Sequence, residues 1–177
     1  GKGTPLMFVP SMHSDLFDDP VTSEILSQLS SEGSHVIIDH EKEGKIKQPS
    51  HIRIVAEFSN ILNCDLPNRK RIAITLGSNI APIDDVRSIT NHSTGTTGWS
   101  ISEYLYRMGH DVFCVAGRTN YYPNFNLPKV KYAEHPIEML EEAVNISSSF
   151  SPEVWIFSAA VLDYLPESFQ GKIPSSK

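Results

Sequence analysis

The sequence predicts an α/β protein of Rossmann-like, three-layer build, with parallel sheets covered on both faces by helices. Three observations carry that prediction. Short apolar runs at 6–9, 36–38, 72–76, 112–116, 130–132 and 154–157 read as buried strands. Longer stretches of helical periodicity separate them, as crossover helices separate parallel strands. A chain of 177 residues with 40% hydrophobic content is long enough to bury a core for such layers.

Taken in order, the run at 6–9 opens the chain, and Val21, Ile25 and Leu29 follow at a spacing of four, predicting a helix with one apolar stripe. The run at 36–38 is the next strand. Around Cys64, Asp65, Leu66 and Pro67 the helical pattern stops, and the basic cluster Arg69, Lys70 and Arg71 precedes the next strand. This reads as a linker between two α/β units, 1–66 and 67–177. After the strand at 72–76, Ile101, Leu105 and Met108 mark a second helix; after 112–116 and 130–132, Ile137, Leu140 and Val144 mark a third, each with one apolar stripe. Ser147, Ser148 and Ser149 are expected at a helix end. The start on an apolar strand and the close without a final element give the chain the look of a piece of something longer.

Composition narrows the function. A formal charge of -6 and a pI near 5.6 exclude a protein that works by neutralising many backbone phosphates of a nucleic acid. No run approaches the roughly 18 apolar residues of a membrane span, and the first residues lack a signal-peptide core, so a cytoplasmic setting is expected. The two cysteines are Cys64 and Cys114, the latter inside an apolar strand, which predicts no disulfide.

The chemically informative stretch follows the strand at 72–76. Gly77 occupies the turn, and Asn91, Ser93, Thr94, Gly95, Thr96, Thr97 and Gly98 lead into the second helix. Glycines admit an anion close to the backbone, hydroxyls donate to its oxygens, and the free amides of the helix add positive potential. An ordinary N-cap and turn is the plainer alternative. A P-loop is excluded, because Gly98 is followed by Trp99 where that motif needs lysine. A nicotinamide dinucleotide fold needs three glycines in the first turn, and only Gly77 is there; Arg118 after the next strand would suit a 2′-phosphate, which keeps an NADP-dependent oxidoreductase as an alternative.

Several segments in register resemble the phosphopantothenoylcysteine synthetase family. Pro82 to Arg87 is similar to its PIDPVR segment, Thr90 to Gly98 to its NxSSGxMG loop, and Gly109, His110, Asp111 and Val112 to its RGHxV segment. Further on, Ser158 to Pro166 resembles AAVADYRP, and Gly171, Lys172 and Ile173 resemble the EKIKK loop. The residues ahead of the linker resemble the flavoprotein decarboxylase often fused before this ligase. Pro10, Ser11, Met12 and His13 look like its PAMN or PAMH loop, Phe17 to Pro20 like WxNP, and Glu43 to Pro49 like a short substrate-covering flap. The resemblance takes in the C-terminal part of a flavodoxin-like decarboxylase domain and the N-terminal part of a Rossmann-like ligase domain.

This resemblance implies a bifunctional enzyme of coenzyme A biosynthesis. In the ligases, the carboxylate of 4′-phosphopantothenate attacks the α-phosphate of CTP, giving an acyl-cytidylate and pyrophosphate; the amine of cysteine then displaces CMP. CTP with Mg2+ and, for the decarboxylase half, FMN are the implied cofactors, and a homo-oligomer the implied assembly. Carried over by position, Asn91 and Lys172 take catalytic roles, the first as a neutral amide at the reacting acyl group and the second as a point charge on phosphate. Gly77, Ser93, Gly95, Gly98, Ala159, Ala160 and Asp163 become nucleotide contacts, and Arg87, Met12 and His13 substrate contacts. Asp84 and Arg87, three residues apart, are expected to pair as a weak surface contact. Thr96 and Thr97 replace a lysine and a methionine of the family loop, and an inactive remnant is a further alternative.

Overall fold

A computed structural model describes residues 3–39, 41–42 and 45–174. Glu43 and Gly44, the start of the expected flap, lie outside the described residues, as do 175–177.

The N-terminal part is built from short pieces. β1 (Met7–Phe8) pairs in parallel with β3 (His35–Val36), with α2 (Pro20–Ser31) between them. The strand expected at 6–9 is thus only two residues long. Asp19 caps α2, its carboxylate accepting from Val21 N, with Pro20 at the first helical position. The apolar stripe of α2 is present, but Val21 and Ile25 are exposed, because no element among the described residues covers them. β2 (Met12–His13), ahead of α1 (Ser14–Phe17), forms an antiparallel three-stranded sheet with β4 (Glu41–Lys42) and β5 (Lys45–Ile46) in the order β2-β5-β4. α3 (His51–Asn63), capped by Ser50, follows.

The main sheet holds four parallel strands in the order β10-β9-β6-β11. They are β6 (Arg71–Leu76), β9 (Asp111–Ala116), β10 (Val130–Tyr132) and β11 (Val154–Phe157). The near-continuous apolar runs of β6 and β9 are what a sheet buried on both faces requires. Ile72, Ile74, Leu76, Val112, Cys114 and Ala116 share one buried cluster with Trp99 of α4 (Thr96–Arg107) and Ala56 of α3. On the opposite face, Ala73 and Val115 pack with Met139 and Ile146 of α5 (Pro136–Ser149). Alternation along each strand thereby divides the core into two layers.

α5 carries the apolar stripe expected of it on the face turned away from the sheet. Ile137, Leu140 and Val144 face outward, 50–64% exposed, while Met139 and Ile146 meet the sheet. With Phe157, Val161 and Leu165, the outward residues Ile137 and Leu140 line an apolar groove of about 370 Å³. His135 starts the helix with a capping box: its Nδ1 accepts from Ile137 N, and Glu138 accepts from His135 N.

From β6 the chain moves outward to β9 and β10, then crosses back to β11 on the other side of β6. The reversal leaves a crevice between the carboxyl ends of β6 and β11, where open parallel sheets bind ligands. The antiparallel hairpin of β7 (Ile80–Pro82) and β8 (Ser88–Thr90) rises beside that crevice and delivers the loop ahead of α4.

Candidate functional site

The segments after β6, β9 and β11 are stitched together by backbone bonds. Ala160 N donates to Gly77 O at 2.8 Å, and Asn79 N to Ala160 O at 3.3 Å. Ser78 exchanges a reciprocal pair with Arg118, at 2.9 and 2.8 Å. Against this floor stands the loop 90–95. Thr90 Oγ1 donates to Asn79 O at 2.8 Å, and Asn91 Nδ2 donates to Ala160 O at 3.2 Å and Val161 O at 2.9 Å. Asn91 thus spans the switch point, tying the loop ahead of α4 to the segment after β11.

Gly95, at φ +77°, turns the chain into α4 in a left-handed conformation, and a Cβ there would meet Thr119 Cγ2 at 2.5 Å. Ser93 Oγ and Thr94 Oγ1 accept long, 3.4 Å bonds from the amides of Gly95 and Thr96. Asn120 N and Tyr121 N donate to Thr94 O, drawing the segment after β9 toward the same loop. Between them lies a polar cavity of about 310 Å³, lined by Ser78, Thr90, Asn91, His92, Ser93, Thr94, Arg118 and Asn120.

Of the residues singled out from sequence, Gly77, Asn91, Ser93, Gly95 and Ala160 gather here. Gly98 packs instead against the Leu76 side chain beneath α4. Asp163 is exposed six residues beyond β11. Met12 and His13 belong to the separate antiparallel sheet, and neither lines the cavity. Among the described residues no group of three or more His, Cys, Asp or Glu side chains is placed to hold a metal ion. No helix among them is long and apolar enough to cross a membrane.

Asp84 and Arg87 pair as expected, but not as a surface contact. The Asp84 side chain is fully enclosed while Arg87 is 47% exposed. One Asp84 oxygen accepts from Val86 N and Arg87 N; the other takes the Arg87 guanidinium and Ile173 N. Arg87 Nη2 also donates to Ile173 O, and Asp85 exchanges bonds with Gly171 through its own N and its Oδ2. The Arg87 guanidinium holds the Asp84 carboxyl far below the usual carboxylate range, overriding burial, with the backbone amides of Val86, Ile173 and Arg87 adding to it. The turn 84–87 therefore clasps the loop that carries Lys172, itself exposed and outside the cavity lining. No local pattern reveals this, since the partners stand almost ninety residues apart.

An open parallel sheet with helices packed on both faces defines a Rossmann-like domain. Residues 68–176 match the family described as DNA/pantothenate metabolism flavoprotein C-terminal domain, and the chain belongs to that family. It is 31% identical over 163 residues to the coenzyme A biosynthesis bifunctional protein CoaBC of Thermococcus kodakarensis, covering 91% of this chain and 40% of that one. It is 29% identical to the protein of the same name from Methanocaldococcus jannaschii, covering 98% of this chain and 42% of the relative. The chain therefore spans less than half the length of these relatives. Among solved structures, the DNA/pantothenate metabolism flavoprotein of Streptococcus pneumoniae superposes with a TM-score of 0.50 at 33% identity, over 54% of this chain and 42% of that one.

Proposed function

We propose that the chain carries the nucleotide-binding part of a phosphopantothenate–cysteine ligase of coenzyme A biosynthesis. One observation supports this above others: the Asn91 amide bridges to Ala160 and Val161 at the mouth of the switch-point crevice. Both Nδ2 hydrogens are engaged by those two carbonyls, so the amide meets a ligand through its oxygen; it lies beside a cavity large enough for a phosphate group and does not titrate, so it can accept from an incoming amine at any working pH. In the proposed reaction the substrate carboxylate bonds to the α-phosphorus of CTP and pyrophosphate leaves. The cysteine amine then bonds to the acyl carbon, CMP leaves and the amine gives up a proton. Ser93 and Gly95 would face phosphate oxygens, and Lys172, on the loop held by Asp84 and Asp85, would add positive charge during activation. Mg2+ would arrive with the triphosphate, since the described residues offer no carboxylate cluster for it. Asp163, Arg87 and Gly98 keep supporting parts, Gly98 through helix packing and Arg87 through the Lys172 loop.

The start of the family match at 68 supports dividing the chain at 66/67, with a decarboxylase-like part before it. FMN belongs to that part in the proposed whole enzyme. The described residues do not enclose a flavin, for Met12 is half-buried, His13 exposed and Leu16 56% exposed. A cytoplasmic homo-oligomer is the proposed setting.

Calorimetric titration with CTP and Mg2+, beside ATP and NADPH, tests the reading. CTP binding is expected, and Asn91→Ala is expected to keep most of it while abolishing ligation in the full-length enzyme. NADPH binding alone would favour an NADP-dependent oxidoreductase, and absence of all three would favour an inactive remnant.

A further inference from the structure

The polar cavity between the loop ahead of α4 and the segment after β9 has one permanent cation in its lining and no carboxylate. Arg118 is that cation. Its backbone is fixed on both sides, N to Ser78 O and O to Ser78 N, and Ser78 Oγ donates a further bond to Arg118 O at 3.3 Å. Its guanidinium, by contrast, has no hydrogen bond or ion pair with the described residues. The protein's other arginines near this sheet are engaged: Arg71 with Ser151 O, Arg87 with Asp84, Arg107 with Glu103. A five-donor fork on an anchored backbone, left free beside the hydroxyls of Ser93 and Thr94, is complementary to phosphoryl oxygens. In a chain of net charge -6, such a local site is what would retain an anion.

We propose that Arg118 is the phosphate-binding cation of this cavity, gripping the phosphoryl oxygens of a nucleoside triphosphate while Ser93, Thr94 and Asn120 complete the cradle. This rests on the nucleotide reading above for the identity of the ligand, though not for the anion chemistry. Arg118 lines the cavity from the segment after β9 and Ser93 and Thr94 line it from the loop ahead of α4, so the nucleotide would be held from both walls.

The test is calorimetry on the 177-residue chain and on Arg118→Gln and Arg118→Lys, each with Mg-CTP, inorganic triphosphate and NADPH. Because the Arg118 backbone keeps its bonds to Ser78, the variants should retain the parent melting temperature, which is measured alongside. Loss of a charged hydrogen-bond fork predicts roughly 10- to 100-fold weaker binding of CTP and of triphosphate to Arg118→Gln, with Arg118→Lys between. Binding of triphosphate to Arg118→Gln within twofold of the parent would overturn the proposal, as would failure of the parent to bind any of the three probes. Loss confined to NADPH would likewise overturn it, assigning Arg118 to a dinucleotide phosphate instead. Loss for triphosphate without any CTP binding by the parent would uphold the anion site and sink the ligase assignment alone.

Discussion

Replacing Gly77 by alanine should damage both the fold and the site, by amounts that can be separated. Gly77 has φ +82°, and a Cβ there would sit 2.7 Å from Arg118 O and 2.9 Å from Thr119 Cγ2. The left-handed conformation alone costs an alanine about 1–2 kcal/mol. To reach ordinary contact near 3.4 Å the backbone of 117–119 must also retreat by about 0.7 Å, and such overpacking costs about 1–3 kcal/mol more. That retreat stretches the reciprocal Ser78–Arg118 bonds and widens the polar cavity. Gly33 supplies the matched control, since it has φ +88° and nothing within 4 Å of its would-be Cβ. Gly33→Ala should lose only the conformational part. Urea unfolding followed by circular dichroism gives the two losses, and calorimetry with Mg-CTP reports the site. Gly77→Ala should lose about 2–5 kcal/mol in total, and its nucleotide binding should fall at least tenfold. Equal destabilisation by the two substitutions, with nucleotide binding intact in both, would refute the reasoning.

Two further outcomes follow from ionisable groups. Asp84→Asn should release the loop 169–173, seen as faster tryptic cleavage after Lys172; because the folded carboxyl titrates below the unfolded one, its contribution is complete at neutral pH and is lost as pH falls below about 4. Melting curves of parent and variant should therefore converge in acid, and a gap that stays constant with pH would contradict the clasp. For the cysteines, burial pushes the Cys114 thiol up to about 11, with Ser102 working weakly against it, whereas Cys64 is exposed. Iodoacetamide at neutral pH should label Cys64 and leave Cys114 unmodified until the protein unfolds, as peptide mass mapping would show.

How far the sequence reveals the structure depends on the range of each interaction. β6 and β9 are legible because strands buried on both faces must be apolar throughout, whereas β10 and β11, at the sheet edges and only partly buried, are legible as short apolar runs between helical stretches. The hairpin of β7 and β8 is not, since its two three-residue strands have no period to detect. On α5 the helical spacing of Ile137, Leu140 and Val144 reports an apolar stripe but not which face meets the sheet: they outnumber Met139 and Ile146, yet the register of β6 and β9 admits the latter. In the site, Gly77, Ser93 and Gly95 were visible from local chemistry, and Asn91 only through resemblance. The burial of Asp84 was invisible, because Ile173, whose amide it accepts, lies 89 positions along the chain. Isolated spacing could report the pair Asp84–Arg87 but not the loop that closes over it.

The bridge from Asn91 to the far side of the crevice also bears on the order in which the protein is made. β6 and β9 meet through a connection of ordinary crossover length, whereas β11 joins β6 from more than twice as far along the chain. Ordering so distant a strand costs more chain entropy and tends to come late in folding. The Asn91 amide finds Ala160 and Val161 only after that step, so a growing or partly folded chain has the loop without its anchor. Ligand competence would then appear with the last strand to dock, and a nucleotide that binds the finished crevice would draw late folding intermediates toward the native state.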